Sequence, residues 1–149
     1  MTQPPNPDFK EAVRQSFGQQ GAMALIRATL PVVEPGKAEI HIPHWDGVLQ
    51  QHGFVHGGVV GMLADSAAGY AAMTLVPADA NVLSVEYKLN FVAPAKGDDI
   101  IARGRVLRSG RTLIVAAAEV FGVENGRETL CAIMQQTIIV LQERKEKIA

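Results

Sequence analysis

Asp65 is the only Asp, Glu, Lys or Arg between Asp46 and Asp79, and it stands inside the run Val59 to Val76, which is apolar on nearly every side. That run predicts a helix, and the carboxylate falls about two turns into it. Burying an unpaired carboxylate costs several kcal/mol. Carboxylates held in apolar settings act as bases and nucleophiles, and also as partners in ion pairs. Asp65 is therefore a candidate general base or nucleophile. The alternatives are a surface position or a buried donor that meets it.

A second group of residues, from Gln50 to Gly58 (QQHGFVHGG), ends where this helix begins. Gly57 and Gly58 would place bare backbone N–H groups at the positive end of the helix dipole, where a developing oxyanion or a phosphate can be held. The same glycines would also serve a tight turn into the helix. His56 falls at or beside the N-cap, where an imidazole can orient a substrate or hydrogen-bond the backbone. His52 and His56 are four apart, but no Glu accompanies them in the zincin spacing and Gly53 opposes helical presentation, so no metal site is expected. His41 and His44 flank Pro43 and read as structural or exposed.

Gly57 and Asp65 are eight residues apart. Along one helix they are separated by roughly 12 Å, too far for both to act on one carbonyl carbon. If both are catalytic, each site draws them from different chains. The simplest arrangement is a two-fold dimer with antiparallel helices.

The elements that must position these residues follow from periodicity. Asp8 and Glu11 have the spacing of a capping box, and Phe9, Val13 and Phe17 recur every four residues, which predicts a helix over 8–20. Residues 24–33 and Lys37 to Ile42 read as two strands. The central helix is slimmed by Gly61, Ala64, Ala67, Ala68, Gly69, Ala71 and Ala72 and has to be wrapped by other elements. After it, Leu83, Val85, Tyr87, Leu89 and Phe91 alternate with Ser84, Glu86, Lys88 and Asn90, so one strand face is expected buried and the other wet. Segments 99–108, 112–122 and 128–141 follow, the last two joined by Asn125-Gly126, a strong hairpin signal. A four-strand antiparallel meander is expected. The sum is an α+β fold, a curved antiparallel sheet around one long helix, with an open sheet edge that favours self-association.

The 149 residues, 48% hydrophobic and 19% charged, suit a single domain over 1–149 with its core at about 24–141 and a charged tail at 142–149. A net charge of −1 argues against nucleic acid or an anionic membrane as partner. Gln50, Gln51, His52, His56 and the glycines interrupt the apolar stretch 47–78 too often for a membrane span. One cysteine, Cys131, and a polar start without basic or apolar signal regions lead us to expect a cytoplasmic protein.

His56-Gly57-Gly58, the nine residues from His56 to Asp65, and an amide residue six positions before His56 together resemble the phenylacetate-pathway type of hotdog-fold acyl-CoA thioesterase. The resemblance spans about residues 45–141, because Phe91 to Asp98 (FVAPAKGD) and Arg108-Ser-Gly-Arg111 also fit the family's strand and hairpin pattern. It implies hydrolysis of acyl-CoA, with CoA as part of the substrate and no cofactor, at a dimer interface often found within a tetramer. It places the acidic residue on Asp65, the carbonyl-polarising N–H on Gly57, the supporting histidine on His56, and the amide on Gln50, where many members have Asn. Substrate-binding groups would be Gly58, Ser66, Ser84 and Arg111. Ser84 stands where some members hold water with a hydroxyl.

Arg103, Arg105, Arg108 and Arg111 gather positive charge suited to the phosphates of CoA, although a solvated strand face explains Arg103 and Arg105 as well. Met62, Leu63, Tyr70 and Met73 are candidates to line an acyl pocket. Two further readings stay open from sequence: a hotdog hydratase or dehydratase acting on acyl thioesters, and a non-catalytic acyl-CoA-binding module in which Asp65 is structural.

Overall fold

The computed structural model describes residues 3–142. It contains helices α1 (Phe9–Gly18), α2 (Gly21–Leu25) and α3 (Gly57–Met73), and strands β1 (Thr29–Glu34), β2 (Lys37–Pro43), β3 (Ala80–Phe91), β4 (Asp99–Ser109), β5 (Leu113–Glu124) and β6 (Arg127–Gln142). From residue 143 on, the expected charged tail lies outside the described residues. Among those described, no helix is long and apolar enough to cross a membrane.

The strands form one antiparallel sheet in the order β1-β2-β4-β5-β6-β3, curved around α3. This is the expected hotdog arrangement. Helix α3 packs chiefly on β4, β5 and β2, with Leu63, Ala64, Ala67, Ala68, Ala71 and Ala72 fully buried. The strand passes closest at Gly104, where a Cβ would stand 2.1 Å from the Ala67 carbonyl oxygen. The small residues of α3 and this glycine let backbone lie against backbone.

The four-strand meander is corrected. Strands β4, β5 and β6 are consecutive neighbours, with Asn125 (φ 51°) and Gly126 (φ 74°) forming the expected tight turn, but β3 pairs with β6 and occupies the sheet edge. The chain returns from β3 to β4 beneath the ends of β6 and β5. The Val92 and Ala93 N–H groups donate to the Cys131 carbonyl and the Asp98 N–H donates to the Val123 carbonyl. Gly122 makes room for the crossing, since a Cβ there would lie 2.1 Å from the Lys96 carbonyl oxygen.

Three smaller expectations also change. Residues 24–33 are not one strand, because α2 occupies their start and β1 begins at Thr29. The Asp8 side chain makes no cap hydrogen bond; the Asp8 N–H is instead bound by Asn6 Oδ1. Strict alternation fails in β3, where a bulge between Ser84 and Glu86 inserts Val85. Ser84 then faces α3 together with Tyr87 and Leu89, which approach Gly61. Glu86 turns outward to Thr137. The expected buried face is largely open in the single chain: Leu83, Val85, Tyr87 and Phe91 are 45–60% exposed.

Gly104→Ala is expected to lower stability by about 1–3 kcal/mol, as overpacking against backbone does. Urea unfolding measures it, and an unchanged midpoint would mean that β4 does not press on α3 at Ala67.

Candidate active site

Asp65 projects from the flank of α3 that β3 and β6 cover, half-buried rather than enclosed. Its Oδ1 accepts from Ser84 Oγ at 2.6 Å and from Gln136 Nε2. Gln136 Nε2 also donates to Ser84 Oγ at 2.6 Å. The carboxylate therefore meets donors from two neighbouring strands and, among the described residues, no cation. It opens on a cavity of about 240 Å³ that Ser66, Tyr70, Met73, Leu83 and Ile138 also line. Part of its lining is polar: Gln20 Nε2 donates to Tyr70 Oη at 2.6 Å, and Ser16 Oγ lies 3.5 Å from the same oxygen.

The N-terminus of α3 forms a different place. His56 is its N-cap, and the imidazole Nδ1 accepts the Gly58 N–H at 2.9 Å. Nδ1 being an acceptor, the neutral ring carries its proton on Nε2. Of the two glycine N–H groups, Gly58's is thus taken, whereas Gly57's has no partner among the described residues. Gly57 lines an open groove of about 420 Å³ with Gln50, Phe54, Val60, Phe91 and Pro94. The Phe91 ring covers the glycine, its Cζ 3.0 Å from where a Cβ would stand. Gln50 closes the preceding turn: its side chain accepts the His52 N–H and its backbone carbonyl accepts the Gly53 N–H at 3.0 Å.

The structure therefore groups the candidates into two sets. Asp65, Ser66 and Ser84 stand together, as do Gln50, His56, Gly57 and Gly58, and the two cavities share no lining residue. Of the acyl-pocket candidates, Tyr70 and Met73 line the Asp65 cavity, whereas Leu63 is buried in the core. Arg103 is committed elsewhere on the outer sheet face. It donates to Glu39 at 3.0 Å and to Glu128 through both terminal nitrogens, and it stacks 4.9 Å from the Phe121 ring centroid. These bonds hold the Glu128 carboxyl below its ordinary range and push the guanidinium further up. Arg111 is exposed in the β4–β5 hairpin, two residues before Leu113, which pairs with Ile139 and through it with Leu83 at the rim of the Asp65 cavity.

Sequence reasoning missed Gln136, which is fully buried. The signal was present: Met134 and Ile138, two residues to either side on β6, are buried and apolar, so the glutamine interrupts an inward-facing series.

Residues 52–129 match the Thioesterase superfamily. A solved structure of a thioesterase family protein from Silicibacter pomeroyi is 40% identical, covers 90% of this chain and 98% of its own, and superimposes with a TM-score of 0.88. Mouse acyl-coenzyme A thioesterase 13 is 31% identical over 80% of this chain and 86% of that protein. An archaeal relative from Saccharolobus solfataricus, named as an esterase, is 34% identical over 58% of this chain and 61% of its own length.

The N-cap can be tested apart from chemistry. His56→Ala is expected to destabilise the fold by about 1 kcal/mol, whereas His56→Asn, a strong capping residue, retains most of that stability. Thermal unfolding of the two variants checks it, and equal losses would show that the Nδ1 bond to Gly58 does not support the helix.

Proposed function

The chain belongs to the thioesterase superfamily and is a thioester hydrolase, and we propose that it hydrolyses acyl-CoA at sites shared by two copies, each site taking Gly57 from one copy and Asp65 from the other. The observation that carries this reading is the separation just described: in one chain the free Gly57 N–H and the Asp65 carboxylate open on different cavities. Eight residues of helix hold them roughly 12 Å apart, and no side-chain rotation closes that gap. A second copy with its α3 antiparallel brings the two together.

Strand β3 supports the same assembly. It is one of the two sheet edges, twelve residues long, with Leu83, Val85, Tyr87 and Phe91 exposed. A long apolar edge requires a cover, and pairing about a two-fold axis would supply one while setting the Asp65 cavity of one copy against the Gly57 groove of the other. A dimer is the minimum this geometry needs, and a dimer of dimers leaves the argument unchanged.

In the proposed reaction the thioester carbonyl oxygen accepts the Gly57 N–H at the positive end of α3, where the developing oxyanion is stabilised. His56 keeps the Gly58 N–H occupied, so the carbonyl is offered a single aligned donor. Gln50 stands beside it on the same groove, where it orients the attacking water or the leaving sulfur. Asp65 either takes a proton from water as the hydroxyl adds to the carbonyl carbon, or adds its own oxygen to give an anhydride that water then opens. In both routes the C–S bond breaks and CoA leaves as the thiol, so no cofactor enters. Solvent oxygen-18 in a single turnover separates the routes when water opens the anhydride at the Asp65 carboxyl carbon, since the protein oxygen then stays with the acid.

The cavity beside Asp65 takes the acyl group, with Met73, Leu83 and Ile138 as its apolar walls. Arg111, free of the carboxylates that hold Arg103, is the phosphate contact favoured among the four arginines. The name of the mouse relative, an acyl-coenzyme A thioesterase, supports CoA as the leaving group.

Asp65→Asn is expected to lower turnover by orders of magnitude with assembly intact. Gly57→Pro removes the N–H at the first helical position, where proline is tolerated, and the exposed Phe91 ring can move aside. Each variant alone should be inactive. Refolded together in equal amounts, half the dimers are mixed and each carries one intact site, so thiol release should recover to roughly a quarter of wild type if sites act independently. Mixed dimers that form, as native mass spectrometry can show, but release no thiol would overturn the shared site.

A further inference from the structure

We propose that Gln136 is the positioning residue of the acid half-site: its amide fixes Oδ1 of Asp65 and the Ser84 hydroxyl together, leaving Oδ2 as the oxygen that meets water or the thioester. The inference rests on the reading of Asp65 as the reacting carboxylate. Gln136 is fully buried, and its Oε1 has no partner among the described residues. Burying an amide with an unmet acceptor is costly, and the packing gives no reason to prefer it to the Met134 and Ile138 that flank it on the same face. What an apolar side chain would lack is the pair of N–H donors. One goes to Asp65 Oδ1 and the other to Ser84 Oγ at 2.6 Å, while Ser84 Oγ donates its own proton to Oδ1 at 2.6 Å.

The three groups thus form a closed ring whose directions are all determined. A serine hydroxyl alone can swing its proton away, but with Gln136 donating to its oxygen the remaining proton is directed to Asp65. Oδ1 then holds two donors, and Oδ2 has none among the described residues. The donor is also neutral. A Lys or Arg at this position would form an ion pair with the carboxylate, whereas an amide orients the group and leaves its charge available to a proton or a carbonyl carbon.

The test compares Gln136→Met, Gln136→Glu, Ser84→Ala and Asp65→Asn for thiol release from acyl-CoA, with unfolding and native mass recorded for each. Gln136→Met keeps the volume and loses both donors, so kcat should fall roughly tenfold to a hundredfold with KM within about twofold, the pattern of lost orientation. Gln136→Glu donates only while it holds a proton, so its kcat relative to wild type should decline as pH rises, a dependence that packing alone would not produce. Ser84→Ala, an exposed position that leaves the Gln136 bond to Asp65 in place, should lose less than Gln136→Met. A folded Gln136→Met with wild-type kcat overturns the proposal, as does a Gln136→Glu profile parallel to wild type. So does a Ser84→Ala as inactive as Asp65→Asn, an outcome readable even if both Gln136 variants misfold. Near-normal turnover in Asp65→Asn would instead remove the proposed function on which the inference rests.

Discussion

A carboxylate carried on an apolar helix has to be met by donors from whatever covers that helix, and for Asp65 the donors are Ser84 of β3 and Gln136 of β6. Much of the architecture can be read as the means of bringing those two strands side by side over α3. The pairing of β3 with β6 sets the two side chains next to each other, and the bulge at Val85 turns Ser84 inward. Neither strand alone completes the set. The chain accepts a crossing beneath the ends of β5 and β6, with Gly122 cut to backbone for clearance, so that this pairing can form.

The same pairing leaves β3 on the outside. In the proposed site an edge strand that carries exposed Leu83, Val85, Tyr87 and Phe91 has two reasons to meet another copy: its unpaired backbone groups, and an oxyanion donor that its own chain holds at the far end of the helix. On that reading, assembly and chemistry depend on one surface. Under the proposed function the protein would not be active as a monomer, because loss of the contact would dismantle the site as well as the interface.

Helix α3, the Asn125-Gly126 turn and the extent of most strands were legible in the sequence because each follows from local signals: small residues on an all-apolar helix, positive φ at two turn positions, period-two alternation. The separation of Gly57 from Asp65 was legible because helix rise is fixed. The place of β3 was not, because alternation specifies which face a residue takes and says nothing about which strand lies beside it. Gly122 near the end of β5 and the seven residues from Val92 to Asp98 were the traces of the crossing, and both also fit a simple hairpin. Ser84 was assigned to the wet face by unbroken alternation, which a single inserted residue reverses. Gln136 went unnoticed beside Gln135, since two adjacent polar residues look like solvent until the register shows that only one points outward.

The Asp65 cavity is lined in part by the N-terminal segment. Ser16 belongs to α1 and Gln20 to the junction with α2, both outside the stretch 52–129 that carries the superfamily pattern, yet both line this cavity and meet Tyr70 Oη. The lining of the cavity is thus not confined to the helix and strands that carry Asp65, Ser84 and Gln136. Under the proposed function, a change confined to residues 16–20 would alter which acyl groups fit without touching Asp65, Ser84 or Gln136, so the range of substrates and the hydrolytic step could vary independently.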